Sequence, residues 1–561
     1  MITPMQLGKC LLFGLFMCLT TLFPVAQEVT IGTTLQTDMA AEGYTLFSPL
    51  SDKTTFLIDN CGREINKWTS EYFPGTRGLI DQDGQLVRAG AFPSEAFDLG
   101  GDGGVLERFD WNGELNWTFF YSDETKIQHH DIEILPSGNV LILAAELLSF
   151  EEAIALGRKE DALLHEELYV ETIVELQPLP DNQAQIVWKW NSKDHLVQNI
   201  SEELPNYVEN TSEHPHRLDI NYTPNEGAKD WLHFNGIDYR EDLDQIVVTA
   251  KHTHEIYVID HSTNTEEAAG STGGNAGRGG DLLYRWGNPQ AYGKGDSADQ
   301  ILYEPHDANW SQASYPDEGK IVIFSNGFER PEGNYSTVEV IDPPLNEEGQ
   351  YALNEEGVFG PEEPFWHWEA EEPETFFSGT MSGAMQVSNG NYLICHALQG
   401  YCIEVDEAYN RHWEYVNPVT FFGPQAQGSE FPLPGNSFFN AEKYPSDYRG
   451  FQDYDLSPGA KIELDPVEGC DIVMTAAQTV STPERIEVYP NPVNGQLCMS
   501  GLPEGNLQMI LIDVNGNAHV RESLTQTCIE LTDKVPPGIY FLQLTHSDGS
   551  PAGGTTFLKM E

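Results

Sequence analysis

The chain has 561 residues, 40% of them hydrophobic and 11% aromatic, which is enough apolar mass for a large core and excludes disorder as its overall state. Its 29 basic residues face 88 acidic ones, a net charge of −59. A coat of that sign excludes nucleic acid as a partner, and it lets a small anion bind only where a local cluster of cations and N–H donors overcomes the field of the whole molecule.

In chain order, Lys9 precedes an apolar run from Cys10 to Val25 that closes on Ala26-Gln27. This pattern predicts a secretory signal over residues 1–27, hence an exported protein. No later segment is apolar enough to span a bilayer, so no transmembrane segment is expected in the mature chain.

From residue 28 to 475 the pattern is a repeat. One half is a strand, an acidic or glycine turn and a strand ending in tryptophan. It recurs at Leu57–Trp68, Arg108–Trp117, Val174–Trp190, Tyr257–Trp286, Val338–Trp368 and Cys402–Trp413. A second hairpin type lies between these copies, clearest at Gly78–Gly90, Asp131–Glu146 and Gly383–Ala397 and longer at Asn235–Lys251 and Ala308–Gly327. Two hairpins make a four-stranded blade, so the repeat predicts an all-β, six-bladed propeller. Only five inner hairpins are clear, and Ala460–Val473 is the segment expected to pair with the first blade and close the ring.

A proline-punctuated linker follows at 476–484, then short strand-like runs over 485–561 that predict a small β-sandwich. This tail has the YPNP start at Tyr489–Pro492, Gly538 and Tyr540 in a G-x-Y near the end, and a closing Lys559. It resembles the C-terminal sorting domain of cargo of the type IX secretion system. The resemblance implies that machinery as a partner and a secreted or cell-surface destination.

Without the signal, six cysteines remain. Cys395 and Cys402 flank a short turn, and Cys498 and Cys528 share the tail, so both pairs are expected to be disulfides. A third pair, Cys61–Cys470, would then lock the ring. No cysteine–histidine spacing suits zinc, and no metal or other cofactor is expected. Calcium at the turns Asp81–Gly84 and Asp98–Gly104 is the weak alternative, since neither has the full ligand spacing of a calcium loop.

The chemistry lies in the register of the repeat. Counting back from the turn glycines of the inner hairpins places Thr76, His130 and Ser382 at equivalent positions, and His233 and His306 precede their strands in the same way. Equivalent positions on successive blades converge at the mouth of the channel. Three histidines there suit nucleophilic and acid–base work near neutral pH.

The blocks around them, His129–Leu143, Trp231–His252, Gly280–Gly293 and Glu304–Trp310, resemble the arylsulfotransferases that use no nucleotide sulfate donor. The resemblance spans about Gly43–Asp465. It implies a phenolic sulfate ester as donor, a phenol as acceptor and a sulfohistidine intermediate, with His306 of EPHDANW as the nucleophile. His130, His233, Asn235 and Lys251 would then stabilise the sulfuryl oxygens, and Thr76, Ser382, Asn440 and Lys443 would contact substrate. Two places depart from the family pattern. Lys251 replaces an arginine, and Phe439–Tyr444 (FNAEKY) carries Asn440 and Lys443 where relatives carry arginines. Two other readings remain open: an aryl-sulfate hydrolase on the same scaffold, and a non-catalytic propeller that binds a surface ligand.

Overall fold

The computed structural model describes residues 29–222, 229–346, 349–429 and 435–467, and beyond them 469–470 and the strands between 487 and 559. The signal-like run, the linker and Pro490–Pro492 lie outside the described residues.

Six antiparallel sheets of four or five strands are built from residues 32–445. Their innermost strands are Phe438–Pro445, Pro74–Ile80, Lys126–Ile134, Phe234–Arg240, Pro305–Trp310 and Gly383–Gln386, and each touches the next in a closed cycle. Middle strands are covered on both faces by neighbouring sheets, so Gln245–Ala250 and Ile321–Ser325 are buried along their whole length. Outermost strands are wet. Leu115–Phe120 buries only Trp117 fully.

The tryptophan repeat has a physical reason. On each sheet one outer-strand indole N–H donates to a carbonyl of the next sheet: Trp68 to Asp110 at 2.8 Å, Trp117 to Gln183 at 2.8 Å and Trp190 to Gly280 at 2.7 Å. Trp286 to Pro361 at 2.8 Å, Trp366 to Glu407 at 3.1 Å and Trp413 to Asn60 at 2.8 Å complete the circuit. On the fifth sheet the donor is Trp366, and the repeat's own Trp368 instead packs edge-on against Phe376 at 4.9 Å. Each indole buries apolar area at a sheet–sheet seam while satisfying its N–H.

Closure differs from the expectation. Phe438–Pro445 is the innermost strand of the first sheet, paired with Gly43–Pro49, while Gly32–Gln36 is the outermost strand of the last sheet, paired with Arg411–Val416. Phe438–Pro445 is buried almost throughout, as a channel strand must be. Ala460 only accepts the Glu64 N–H at 2.9 Å, beside a single bridge between Arg63 and Lys461 at the wet edge. Residues 471–473 of that segment lie outside the described residues.

Cys61–Cys470 and Cys498–Cys528 are disulfides. Cys395 and Cys402 are not, which corrects the sequence reading. They face each other across paired strands with Sγ atoms 2.7 Å apart and remain buried thiols. Burial pushes the Cys402 thiol well above its ordinary pKa, which withholds the thiolate that disulfide formation needs.

The tail forms a three-stranded sheet (Glu487–Tyr489, Gln496–Ser500, Cys528–Glu530) and a four-stranded sheet (Ala518–Leu524, Leu507–Asp513, Gly538–His546, Pro551–Lys559). Leu497, Met499, Met509, Leu511, Leu542 and Leu544 share one core, the arrangement of a small sandwich.

One irregularity recurs at the same place in the inner strands. The pairing slips after Pro74, around His129–Asp131, at Asn235, after His306 and at Phe439–Asn440. These are β-bulges, which bend a strand and re-aim its side chains. Five bulges in one register turn side chains of five sheets toward the channel.

Candidate functional site

The bulges hold their residues in unusual backbone. His130, His233, Glu304 and Asp307 have φ of 49°, 53°, 50° and 52°, and Met381 and Ser382 have 57° and 77°. Non-glycine residues rarely adopt these angles, and such strain collects at functional sites.

The three expected histidines converge at one end of the channel. The rings of His130 and His233 meet edge-to-face at 4.6 Å, and Phe439 lies between His130 at 6.1 Å and His306 at 6.4 Å. All three are buried. Burial, then His233, His129, His306 and Lys251, hold His130 well below the ordinary histidine pKa. Burial, then His252 and Lys251, do the same to His233. Burial and then Lys251 lower His306 to about 3. At neutral pH these are neutral imidazoles, each with one lone pair.

For His306 the lone pair can be placed. The Asn326 amide donates its Nδ2 hydrogens to the Ser378 carbonyl at 2.6 Å and the Met381 carbonyl at 2.9 Å, which fixes which way round it sits. Its Oδ1 therefore faces His306 Nδ1 at 2.6 Å and accepts that N–H. Nε2 is left unprotonated, and it accepts the Met381 backbone N–H at 3.2 Å.

Lys251 Nζ pairs with Glu304 at 3.4 Å and is within electrostatic reach of all three imidazoles. Asn235 is fully buried, donates to the Pro305 carbonyl at 3.0 Å and leaves its Oδ1 without a hydrogen bond. His233 Nδ1 bonds the Asp230 carboxylate, and His252 Nδ1 donates to the Asp230 carbonyl at 2.8 Å. Asp230, His233 and His252 place three potential metal-ligand atoms within 4.8 Å. Those groups are already engaged with one another, and we assign no ion to them. The Gly-rich segment at Asp98–Gly104 lies over the cluster. A Cβ on Gly101 would stand 2.5 Å from the His130 ring, so only glycine allows this approach.

Four expected substrate contacts face elsewhere. The Thr76 hydroxyl donates to the His130 carbonyl, and the Ser382 hydroxyl accepts the Ala397 N–H at 3.0 Å. Lys443 is buried in an ion pair with Glu404 at 2.8 Å, its Nζ 4.9 Å from the Trp413 ring. Asn440 donates to Asp307 at 3.2 Å, in a separate layer where Arg77 binds Asp131, Asp307 and Glu442. The turn at Asp81 is likewise occupied by its own backbone, Asp81 accepting the Asp83 and Gln85 N–H groups at 2.9 Å.

Sequence reasoning missed Asn326, Met381, Phe439, Asp230 and the pair His129–Glu171. His129 adjoins His130 in an HHD run, a signal that was available. Glu171 and Asn326 sit on second strands or beyond, outside the register, and only the fold brings them in.

A family model described as arylsulfotransferase matches residues 51–418, and one described as a secretion system C-terminal sorting domain matches 487–552. The second places the protein among exported chains, secreted or held at the cell surface. Among the described residues no helix is long and apolar enough to cross a membrane. Among curated proteins no relative matches the chain.

Three solved structures are similar to this chain only at low identity and low TM-score. A protein of unknown function from Bacteroides caccae is 10% identical, with 71% of this chain and 98% of that one covered and a TM-score of 0.37. A putative 6-phosphogluconolactonase from Bacteroides fragilis is 10% identical, with 73% and 99% covered and a TM-score of 0.33. Virginiamycin B lyase from Staphylococcus aureus is 10% identical, with 70% and 90% covered and a TM-score of 0.31.

Proposed function

From its membership of the arylsulfotransferase family, a sulfuryl-transferring enzyme family matched over residues 51–418, we propose that this exported chain moves a sulfuryl group from a phenolic sulfate ester to a phenolic acceptor through a sulfohistidine on His306. The observation that carries this reading is the fixed tautomer of His306. A neutral imidazole with Nδ1–H held by Asn326 presents Nε2 as a nucleophile with no prior proton loss.

In the first displacement the Nε2 lone pair forms the N–S bond, and the S–O bond to the donor phenol breaks. The Met381 N–H, which now donates to Nε2, is released at that moment and can turn to a sulfuryl oxygen. Lys251 and a ring N–H of His130 supply further fixed donors as charge grows on those oxygens, while His233 spends its one N–H on the Asp230 carboxylate. In the second displacement the acceptor phenol attacks sulfur and His306 departs. Phe439, between His130 and His306, offers the face on which an aryl ring could rest.

The test is incubation of the full chain with 4-nitrophenyl sulfate, with and without phenol. Nitrophenol release that requires phenol, with a sulfated peptide containing His306 by mass spectrometry, is the expected result. Release indifferent to phenol selects the hydrolase. No release and no sulfated histidine selects the non-catalytic propeller.

A further inference from the structure

A double displacement asks opposite things of one group beside the reacting oxygen. The departing phenolate needs a proton, and the attacking phenol must lose one. His130 has two titratable groups in a hydrogen-bonded chain behind it. Its Nδ1 lies 2.9 Å from Nδ1 of His129, whose Nε2 lies 3.0 Å from Glu171 Oε2. The three residues are 3%, 1% and 2% exposed, so no bulk water competes for these contacts. The other Glu171 oxygen accepts the Phe234 N–H at 3.0 Å, which fixes the carboxyl group.

An Nδ1–Nδ1 contact holds a single proton, on one ring or the other. That gives two states. With the proton on His129, His130 accepts at Nδ1 and carries its own proton on Nε2, where it is a donor to the site. With the proton on His130 Nδ1, Nε2 is bare and is an acceptor.

We propose that Glu171 and His129 form a proton relay that switches His130 from general acid to general base between the two half-reactions. The proposal rests on the sulfohistidine reading above. In the first half-reaction His130 Nε2–H passes its proton to the leaving phenolate oxygen, and the His129 Nδ1 proton crosses to His130 Nδ1. In the second half-reaction the acceptor phenol gives its proton to His130 Nε2, and the Nδ1 proton returns to His129. One proton leaves with the first phenol and one arrives with the second, so the cycle balances with no other reactant.

His130 stays neutral throughout. That suits its position, because burial and the neighbours His233, His129, His306 and Lys251 all oppose a charge on it. The stored proton belongs to the pair behind it. Burial opposes charge on His129, but Glu171, Asp230 and Asp102 together outweigh it and raise its pKa, and burial raises the Glu171 carboxyl. Both directions favour a pair that holds the extra proton.

The test uses the full-length protein and phenyl sulfates of graded leaving-group pKa. Loss of an acid matters little to a good leaving group and greatly to a poor one. Glu171→Gln and His129→Gln are therefore expected to lose less than about tenfold in kcat/KM with 4-nitrophenyl sulfate and about 10²–10⁴-fold with phenyl sulfate. In the same variants sulfated His306 should accumulate with 4-nitrophenyl sulfate and ordinary phenol, and discharge normally to a phenol acidic enough to arrive ionised. An equal loss across the donor series overturns the relay. Absence of sulfated His306 in the unmutated protein overturns the sulfohistidine reading instead. If neither variant folds, the proton inventory of the unmutated protein with phenyl sulfate decides. A curved inventory, two protons in flight, supports the relay, and a linear one overturns it.

Discussion

Four pairs of chain neighbours separate two layers of the channel. Thr76, His130, His306 and Phe439 lie with the imidazoles, whereas Arg77, Asp131, Asp307 and Asn440 form a layer of carboxyl groups around one guanidinium. The same strands and the same bulges build both, yet their polar atoms are used in opposite ways. In the carboxylate layer nearly every polar group is spent. Arg77 binds Asp131, Asp307 and Glu442, and the Asp131 and Asp238 carboxyls accept the Ile237 and Trp310 N–H groups at 3.1 and 2.7 Å. In the imidazole layer His306 keeps a lone pair. One layer consumes its polar groups to hold five sheets together, and the other leaves reactive atoms available.

The largest expected effect separates them by function. His306→Asn should cut transfer at least about a thousandfold while leaving the melting temperature within a few degrees of the original. The mirror-image change is Arg77→Met. It strands buried carboxylates and should cost about 3–5 kcal/mol of stability, read from denaturant unfolding. If Arg77→Met unfolds no more easily than the unmutated protein, the two layers do not differ as described.

Next comes Lys251. Replacement by methionine should lower the rate by about ten- to a thousandfold, the range for one preorganised donor, whereas arginine should preserve or raise it. Loss in both variants would mean that the Glu304 contact, and not charge near sulfur, is what matters.

The smallest effect is in pH dependence, where the layers have opposite signs. The folded pKa of His306, about 3, lies below its unfolded value. Its contribution to stability is present above the unfolded histidine pKa and is lost as pH falls toward 3. Burial raises Asp238 to about 6, and Asp307 and Glu133 also rise. The Asp238 contribution is present below the unfolded carboxyl pKa and is lost as pH rises through about 6. Thermal unfolding between pH 4 and 7 should therefore lose part of its acid-side decline in His306→Asn, and lose part of an opposing trend in Asp238→Asn. Identical slopes in both variants would refute the contrast.

Much of this architecture was legible because it is periodic. The tryptophans mark the outer strand of every sheet, and the turn glycines give the register that brings His130, His233 and His306 together. The register alone could not say what each side chain does once there. Thr76 and Ser382 occupy it, but their hydroxyls are taken up by backbone groups, the His130 carbonyl and the Ala397 N–H. Lys443 and Asn440 meet Glu404 and Asp307 instead. Cys395 and Cys402 were placed opposite each other correctly, but their burial, which pushes the Cys402 thiol up, has no signature in spacing. Asn326 and Glu171 were invisible for a different reason. Their partners are 20 and 42 residues away, and nothing local marks them.

The exchanged end strands also set the order in which the molecule can be made. Gly32–Gln36 completes a sheet whose other strands begin at Gly383, and the sheet containing Gly43–Pro49 lacks its channel-facing member until Phe438–Pro445 arrives. The chain must emerge to Val416 before one seam can close and to Pro445 before the other, and contacts so distant in sequence form slowly. A nascent chain stopped short of Phe438 has all three histidines but an open wall beside them, with Phe439 absent. The histidine cluster thus gains its last wall late, when the final strand is inserted, and a partly synthesised chain lacks the assembled cluster.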